Sequence, residues 1–307
     1  MNPGWVAGSV RARLLLGRRV GAETARELAR SASLEHALQL LAGTPYARTV
    51  PLGPGLEQAQ RAVATSVALS CRVLAAWLPR DASVGIRAMA SWFELANIED
   101  RIAYLAGGEL RHPFELGVLS SVWEAAAAAG SLDELRRLLG RSAWGDPGSD
   151  EPPEMQRWLR LSWARRVSRQ APAASAWAAG ALAILLAAEM FVAGRFFDPR
   201  LARRLGLGEA WHDASGIAEL RERLPARAGW ALAEIEEPAD LWRAELAWWR
   251  RVGLDGEAMT RVRLDDPGVV VAAVALLAID AVRVNAALSV AARSGAPPAL
   301  EVLDALC

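Results

Sequence analysis

The chain contains no lysine: all 35 basic side chains are arginine, set against 35 acidic ones for a formal net charge of zero. A protein that works by neutralising phosphates carries a basic excess. Nothing in the balance argues for bulk nucleic-acid binding, and a local basic patch stays open. Arginine in place of lysine, with abundant Ala and Gly, is what a GC-rich coding sequence produces, so the bias carries no functional weight. Cysteine is almost missing too. Cys71 and Cys307 match no metal-ligand spacing and are too few to staple 307 residues. The three histidines, His36, His112 and His212, stand apart from one another and from any acidic or thiol cluster. There is no G-x-S-x-G elbow, no P-loop and no G-x-G-x-x-G turn. The expectation is a chain with no catalytic residues, no metal and no cofactor, and in particular not a P-loop ATPase. Ile and Thr are sparse, and no run alternates in polarity as a half-buried strand does.

What is present favours helix. Hydrophobic residues make up 53% of the chain, dominated by Ala and Leu, and the fold class expected is all-α. Ser33 can cap a helix with Leu34, Ala37, Leu38 and Leu41 on one face and a stop at Gly43. Ser131 with Glu134 reads as a capping box, with Arg136 and Arg137 near a stop at Gly140. A further helix opens at Pro238 behind Glu236 and Glu237 and closes with Arg250, Arg251 and Gly253. Asp266-Pro267 opens a long one that Ser294-Gly295 and Pro297-Pro298 close. Of the Pro- and Gly-rich breaks, WGDPGSDEPP (Trp144 to Pro153) is the best candidate for a disordered loop.

The start, MNPGWVAGSV, lacks the basic and apolar regions of a secretory signal, so a cytoplasmic location is expected. Two apolar runs, Ala173 to Phe191 and Pro267 to Ala292, are long enough to span a bilayer. Both are rich in Ala, and Asp280 and Arg283 fall in the middle of the second, where charge is costly in lipid. Buried central helices account for them equally well.

Three long apolar helices each carry one acid: Glu94, Glu189 and Asp280, spaced 95 and 91 residues apart. Near-equal spacing of similar helices suggests one helical unit used three times, with boundaries at 1–110, 111–206 and 207–307.

Four motifs in the first hundred residues carry a family resemblance: Val10-Arg11-Ala12-Arg13-Leu14-Leu15, Ser33-Leu34-Glu35, Leu40-Leu41-Ala42-Gly43-Thr44-Pro45-Tyr46 and Phe93-Glu94-Leu95-Ala96-Asn97-Ile98-Glu99. In order and spacing they resemble the N-terminal third of the C subunit family of A/V-type ATPases, subunit d of the eukaryotic enzymes. That family has an Arg-containing first helix, then a Leu-rich turn with Thr-x-Tyr, and later an acid three residues before an Asn-Ile or Asn-Leu pair. Ile279-Asp280-Ala281-Val282-Arg283-Val284-Asn285 is similar to the last occurrence of the same motif, and the middle copy keeps only Glu189. The resemblance implies three pseudo-repeated helical domains in a funnel-like arrangement. It implies a non-catalytic central-stalk connector in a proton- or sodium-translocating rotary ATPase, binding the soluble rotor shaft on one side and the membrane rotor ring on the other. Such a subunit lies at the cytoplasmic face of the membrane, touches it only through partner subunits, and takes no nucleic acid or small-molecule substrate. Arg11, Arg13, Tyr46, Glu94, Asn97, Glu189, Asp280 and Arg283 would be its structural motif residues. The degraded middle motif and the end at Cys307 depart from the pattern. They keep open a free-standing helical scaffold of the same fold with a different protein partner.

The acids read first as structural. One per repeat suggests a shared helix-to-helix bond or ion pair, and Asp280 can meet Arg283 one turn along its own helix. Thirteen tryptophans are many for this length. Trp242, Leu246 and Trp249 form one stripe at helical spacing, read as core, with a partner-binding anchor at Trp242 and Trp249 as the sharper alternative. The segment RWLRLSWARRVSRQ, Arg157 to Gln170, interleaves five arginines with apolar residues. Its arginines scatter around the helix, which fits a solvated helix better than one lying on anionic lipid.

Overall fold

Capping side chains mark where helices begin. Ser33 Oγ accepts from His36 N at 3.2 Å, and Ser131 Oγ accepts from Glu134 N at the same distance. Glu134 Oε2 accepts from Gly130 N at 2.8 Å, one residue before the cap, a variant of the reciprocal box in which the returning bond goes to the residue preceding Ser131. The structure, a computed structural model, describes residues 3–197, 203–208, 210–261 and 268–293. It is all-α, with no strand among those residues. In chain order the helices are α1 (Pro3–Leu16), α2 (Gly21–Ala29), α3 (Leu34–Leu41), α4 (Leu56–Trp77) and α5 (Ser83–Leu105). Then come α6 (Trp123–Ala128), α7 (Leu132–Gly140), α8 (Pro152–Gln170) and α9 (Ser175–Ala187), the last running into a π-helical turn, Ala188–Val192. After α10 (Ile217–Arg223) and α11 (Ala226–Gly229), α12 (Leu241–Thr260) and α13 (Gly268–Ala292) complete the set. The Asp266-Pro267 opening and the Ser294–Pro298 close lie outside the described residues.

The chain divides into two compact units, cut at 86/87 and 248/249. These cuts fall elsewhere than 110/111 and 206/207, because the first unit joins both ends of the chain. In that unit α13 is the central element, packed against α1, α2, α3 and α4. It is buried without interruption from Gly268 to Leu277, which a helix enclosed on every side requires. The helix expected to stop at Gly253 continues to Thr260. Gly253 and Gly256 lie against α13, and a Cβ on Gly256 would stand 3.1 Å from Leu276 Cγ. Close packing there offsets the roughly 1 kcal/mol that each glycine costs a helix.

The second unit holds two apolar clusters. In one, Leu95, Ile98 and Ile102 of α5 meet Leu135 and Leu139 of α7, Trp144, and Met155 and Leu159 of α8. In the other, Leu182, Ala183 and Leu186 of α9 meet Trp211, Leu220, Ala228 and Leu232. Each large side chain buried this way contributes roughly 1.5–3 kcal/mol. The segment read as a disordered loop is ordered. Trp144 is 0% exposed, Arg136 Nε donates to Asp146 at 3.0 Å, and Gly148 N donates to Asp146 at 2.9 Å. A tryptophan inside a hydrophilic loop outweighs the turn chemistry around it. Both apolar runs form helices long enough to cross a membrane, Pro172–Val192 and Gly268–Ala292, with 44% and 72% of their apolar windows buried inside the protein.

Candidate functional site

Two of the three singled-out acids are the most deeply buried charged groups described. Glu94, on α5, is 0% exposed, and Asp280, on α13, is 1% exposed. Neither is solvated, so each requires donors from the protein. Glu94 has five. Its Oε1 accepts from the backbone N–H of Ser121 at 2.6 Å, Val122 at 2.8 Å and Trp123 at 3.1 Å. Its Oε2 accepts from Ser121 Oγ at 2.5 Å and from the Trp144 indole at 3.0 Å. The carboxylate therefore sits on the N-terminus of α6, where helix backbone donors are otherwise unmatched. Three residues on, Asn97 is also 0% exposed. It donates from Nδ2 to Phe114 O at 2.9 Å and accepts from Phe114 N at 2.7 Å, holding the segment that leads to α6.

Asp280 repeats the device in the other unit. Its carboxylate accepts from Gly21 N at 2.9 Å and Val20 N at 3.1 Å, at the N-terminus of α2. The Tyr46 hydroxyl donates to it at 3.0 Å. Burial, then the charge of Asp280 and its hydrogen bond, push the Tyr46 phenol well above the ordinary tyrosine range. The bonds shown for Asp280 come from 234 to 260 residues away in sequence, not from one turn along its own helix. Of the motif residues, the structure thus joins Tyr46 to Asp280. Arg283 is half-buried, Arg11 stacks over Trp77 at 5.8 Å, and Arg13 is exposed.

The two devices share a local grammar that acid spacing alone does not reveal. In each, an acid on a long helix caps a short helix, a second short helix begins at a serine cap, and a hydroxyl turn then delivers an aromatic donor. Thr44 Oγ1 donates to Leu41 O at 2.7 Å and accepts from Tyr46 N at 3.2 Å. Ser142 Oγ donates to Leu139 O at 2.8 Å and accepts from Trp144 N at 3.1 Å. Ser33 and Ser131, Leu41 and Leu139, Thr44 and Ser142, and Tyr46 and Trp144 each stand 98 residues apart. An ungapped comparison of SLEHALQLLAGTPY with SLDELRRLLGRSAW exposes this, and with it Trp144, which acid spacing misses.

Glu189 departs from the pattern. It lies on the π-helical turn, its side chain 19% exposed, and pairs with Arg195 Nη1 at 2.8 Å. The N-terminal side of α10 is instead tied by Glu219, which accepts from Ser215 N at 2.7 Å and Ser215 Oγ at 2.6 Å. The Trp230 indole donates to Arg227 O at 3.0 Å and Ala176 O at 3.3 Å, not to a carboxylate. Glu189, Glu219 and Trp230 are thus each engaged by other partners.

Five donors from the protein thus surround the two carboxylate oxygens of Glu94, which offer about four lone-pair positions. Among the described residues no group of three His, Cys, Asp or Glu is placed to hold a metal ion. A hollow of about 360 Å³, open to solvent, is lined by Asp133, Arg136, Arg137, Gly140, Arg141 and Asp146, none of them a motif residue. Trp242 is 51% exposed, against its reading as core, while Trp249 is half-buried. No protein-family model matches the chain, and no curated protein matches it.

Proposed function

We propose that this chain is a non-catalytic helical connector of the A/V-type ATPase central-stalk kind, linking a soluble rotor shaft to a membrane rotor ring. The observation that carries the reading is the device built twice, at Glu94 and at Asp280. Each ties a long helix to a short helix and to an aromatic beyond it through charge-assisted hydrogen bonds, the strongest class available to neutral partners. A part that transmits load needs non-local segments locked together more than it needs an open pocket. Glu94, Asp280, Asn97 and Tyr46 are also the residues on which the family resemblance rests. In this reading the chain is cytoplasmic and peripheral, is built from three pseudo-repeated helical domains, and offers exposed Trp242 to a partner.

A second reading, a free-standing scaffold of the same fold, is favoured by Glu189. Its loss of the device marks a region where the constraint has been relaxed. Affinity purification of the chain from its native cell separates the two. Co-purification of shaft and ring subunits supports the connector. A stable partner set without ATPase subunits rejects it in favour of the scaffold. Carbonate extraction then tests the peripheral location, since a chain spanning the bilayer through α9 or α13 stays with the membrane.

A further inference from the structure

Helix α8 carries five arginines, and among the described residues two of them have acidic partners: Arg157 pairs with Glu154, and Arg160 with Glu99 at 2.8 Å. Arg165 Nε is buried without an acceptor. Arg169 lies one turn further along the same face and is exposed. Arg204, from the 203–208 segment, brings a third guanidinium, laid over the Trp158 ring at 4.1 Å. That ring is itself held, because its indole donates to Trp144 O and Gly145 O, each at 3.0 Å. Gly145, at φ 77°, leaves the room, since a Cβ there would stand 3.3 Å from Trp158 and 3.5 Å from Arg204 Nη2.

Among the described residues, no ion pair is formed by Arg165, Arg169 or Arg204. Burial first, then Arg169 and Arg204, push the Arg165 guanidinium below its ordinary range, and no carboxylate acts in the other direction. Asp146, the acid nearest Arg204 in effect, is already engaged by Arg136 and Gly148 N. Three cations gathered with free donors, one of them pre-oriented on an aromatic face, cost the folded chain repulsion that a bound anion relieves.

We propose that Arg165, Arg169 and Arg204 form a binding site for a phosphoryl group. Donors reaching in from two separate elements suit a tetrahedral anion with several terminal oxygens and up to two charges. A carboxylate offers two oxygens in one plane and a single charge. The site goes beyond the connector reading and does not depend on it. The same chemistry has two sources, a soluble phosphate compound or the monoester headgroup of a lipid.

The test is calorimetric titration of the full chain with inorganic pyrophosphate, alongside flotation with phosphatidylcholine vesicles containing either phosphatidic acid or phosphatidylglycerol. Saturable pyrophosphate binding that weakens with salt is expected, as is selective flotation with phosphatidic acid if the source is a lipid. Either one supports the site. Arg169→Gln and Arg204→Gln should each weaken binding about tenfold or more. Arg243→Gln, at an exposed side chain of α12, should leave it unchanged. Arg169 is exposed and makes no hydrogen bond or ion pair among the described residues, so its variant should fold, and its melting midpoint without ligand should not fall. The proposal is overturned if millimolar pyrophosphate does not bind and flotation does not favour phosphatidic acid over phosphatidylglycerol, or if Arg243→Gln loses binding equally. Tighter binding of an oligoglutamate peptide than of pyrophosphate overturns it too.

Discussion

Replacing Glu94 by Gln keeps the side chain's shape and removes only its charge and one acceptor, which makes the worth of the device measurable. The amide oxygen can stay on the three backbone donors of Ser121, Val122 and Trp123. The amide NH2 then faces the Ser121 hydroxyl and the Trp144 indole. The hydroxyl can turn to accept, but the indole is a donor only. Trp144, 0% exposed, is left with an unmatched N–H, at roughly 1–3 kcal/mol. The three backbone bonds fall from charge-assisted to neutral strength, about 1 kcal/mol each. Relief of the carboxylate's own desolvation returns part of this, leaving a net loss of about 3 kcal/mol. In urea, at a slope of roughly 2 kcal/mol per molar, the midpoint should fall by about 1.5 M. Glu189→Gln removes only a partly exposed pair with Arg195 and should move the midpoint by no more than about 0.5 M. Tryptophan fluorescence and far-ultraviolet circular dichroism, read on the same samples, test whether the slope is unchanged and the comparison valid. If the two variants shift the midpoint by the same amount, Glu94 is not a pin and the reasoning fails.

Tyr46→Phe takes one of the donors shown for Asp280 and should cost about 1–2 kcal/mol at neutral pH, seen as a lower urea midpoint. Because the folded phenol titrates above its ordinary value of 10.0, the native state keeps a proton that the unfolded state gives up. The stability tied to Tyr46 is therefore complete below about pH 10 and is lost as pH rises beyond it. Melting curves between pH 8 and 11 should fall less steeply at the alkaline end in Tyr46→Phe, and identical slopes would contradict the assignment. Gly180→Ala places a methyl 2.6 Å from the Trp230 ring and 3.2 Å from Ala231 Cβ. Overpacking of about 1–3 kcal/mol should outweigh the roughly 1 kcal/mol gain in helix propensity, so its melting temperature should fall.

The helical class, the Ser33 and Ser131 caps and the apolar surroundings of Glu94 and Asp280 were all legible in the sequence, because each has a local cause: composition, a capping side chain, or an acid stranded in an apolar run. What was not legible depends on which distant segments meet. Nothing beside Asp280 says that its donors are Val20, Gly21 and Tyr46. The glycines of α12 read as a stop until the α13 side chains that fill their place are known. Glu189 looked equivalent to the other two acids because spacing is blind to solvent. The environment that separates them, a π-helical turn with Arg195 close by, is set by the backbone after α9. The tie between Trp144 and Glu94 was within reach, but only by comparing capping and turn residues rather than acids.

That comparison also explains why the repeat looks linear in sequence and closes differently in space. The acid that caps α6 stands before it in the chain, on α5, whereas the acid that caps α2 comes from α13, at the other end. A copy defined as one long helix followed by two short ones begins on α13 and continues on α2 and α3. The first unit is therefore complete only when both ends of the chain are present, and truncation after Trp248 tests this. It removes α13, with its buried run from Gly268 to Leu277, together with the carboxylate that caps α2. It leaves intact every bond described for Glu94. Backbone hydrogen exchange in the truncated chain should show protection lost from α2 and α4 and retained in α7, α8 and α9. Protection retained in α2 would mean that the N-terminal helices hold together without Asp280, and equal loss in α8 would mean that the second unit has no stability of its own.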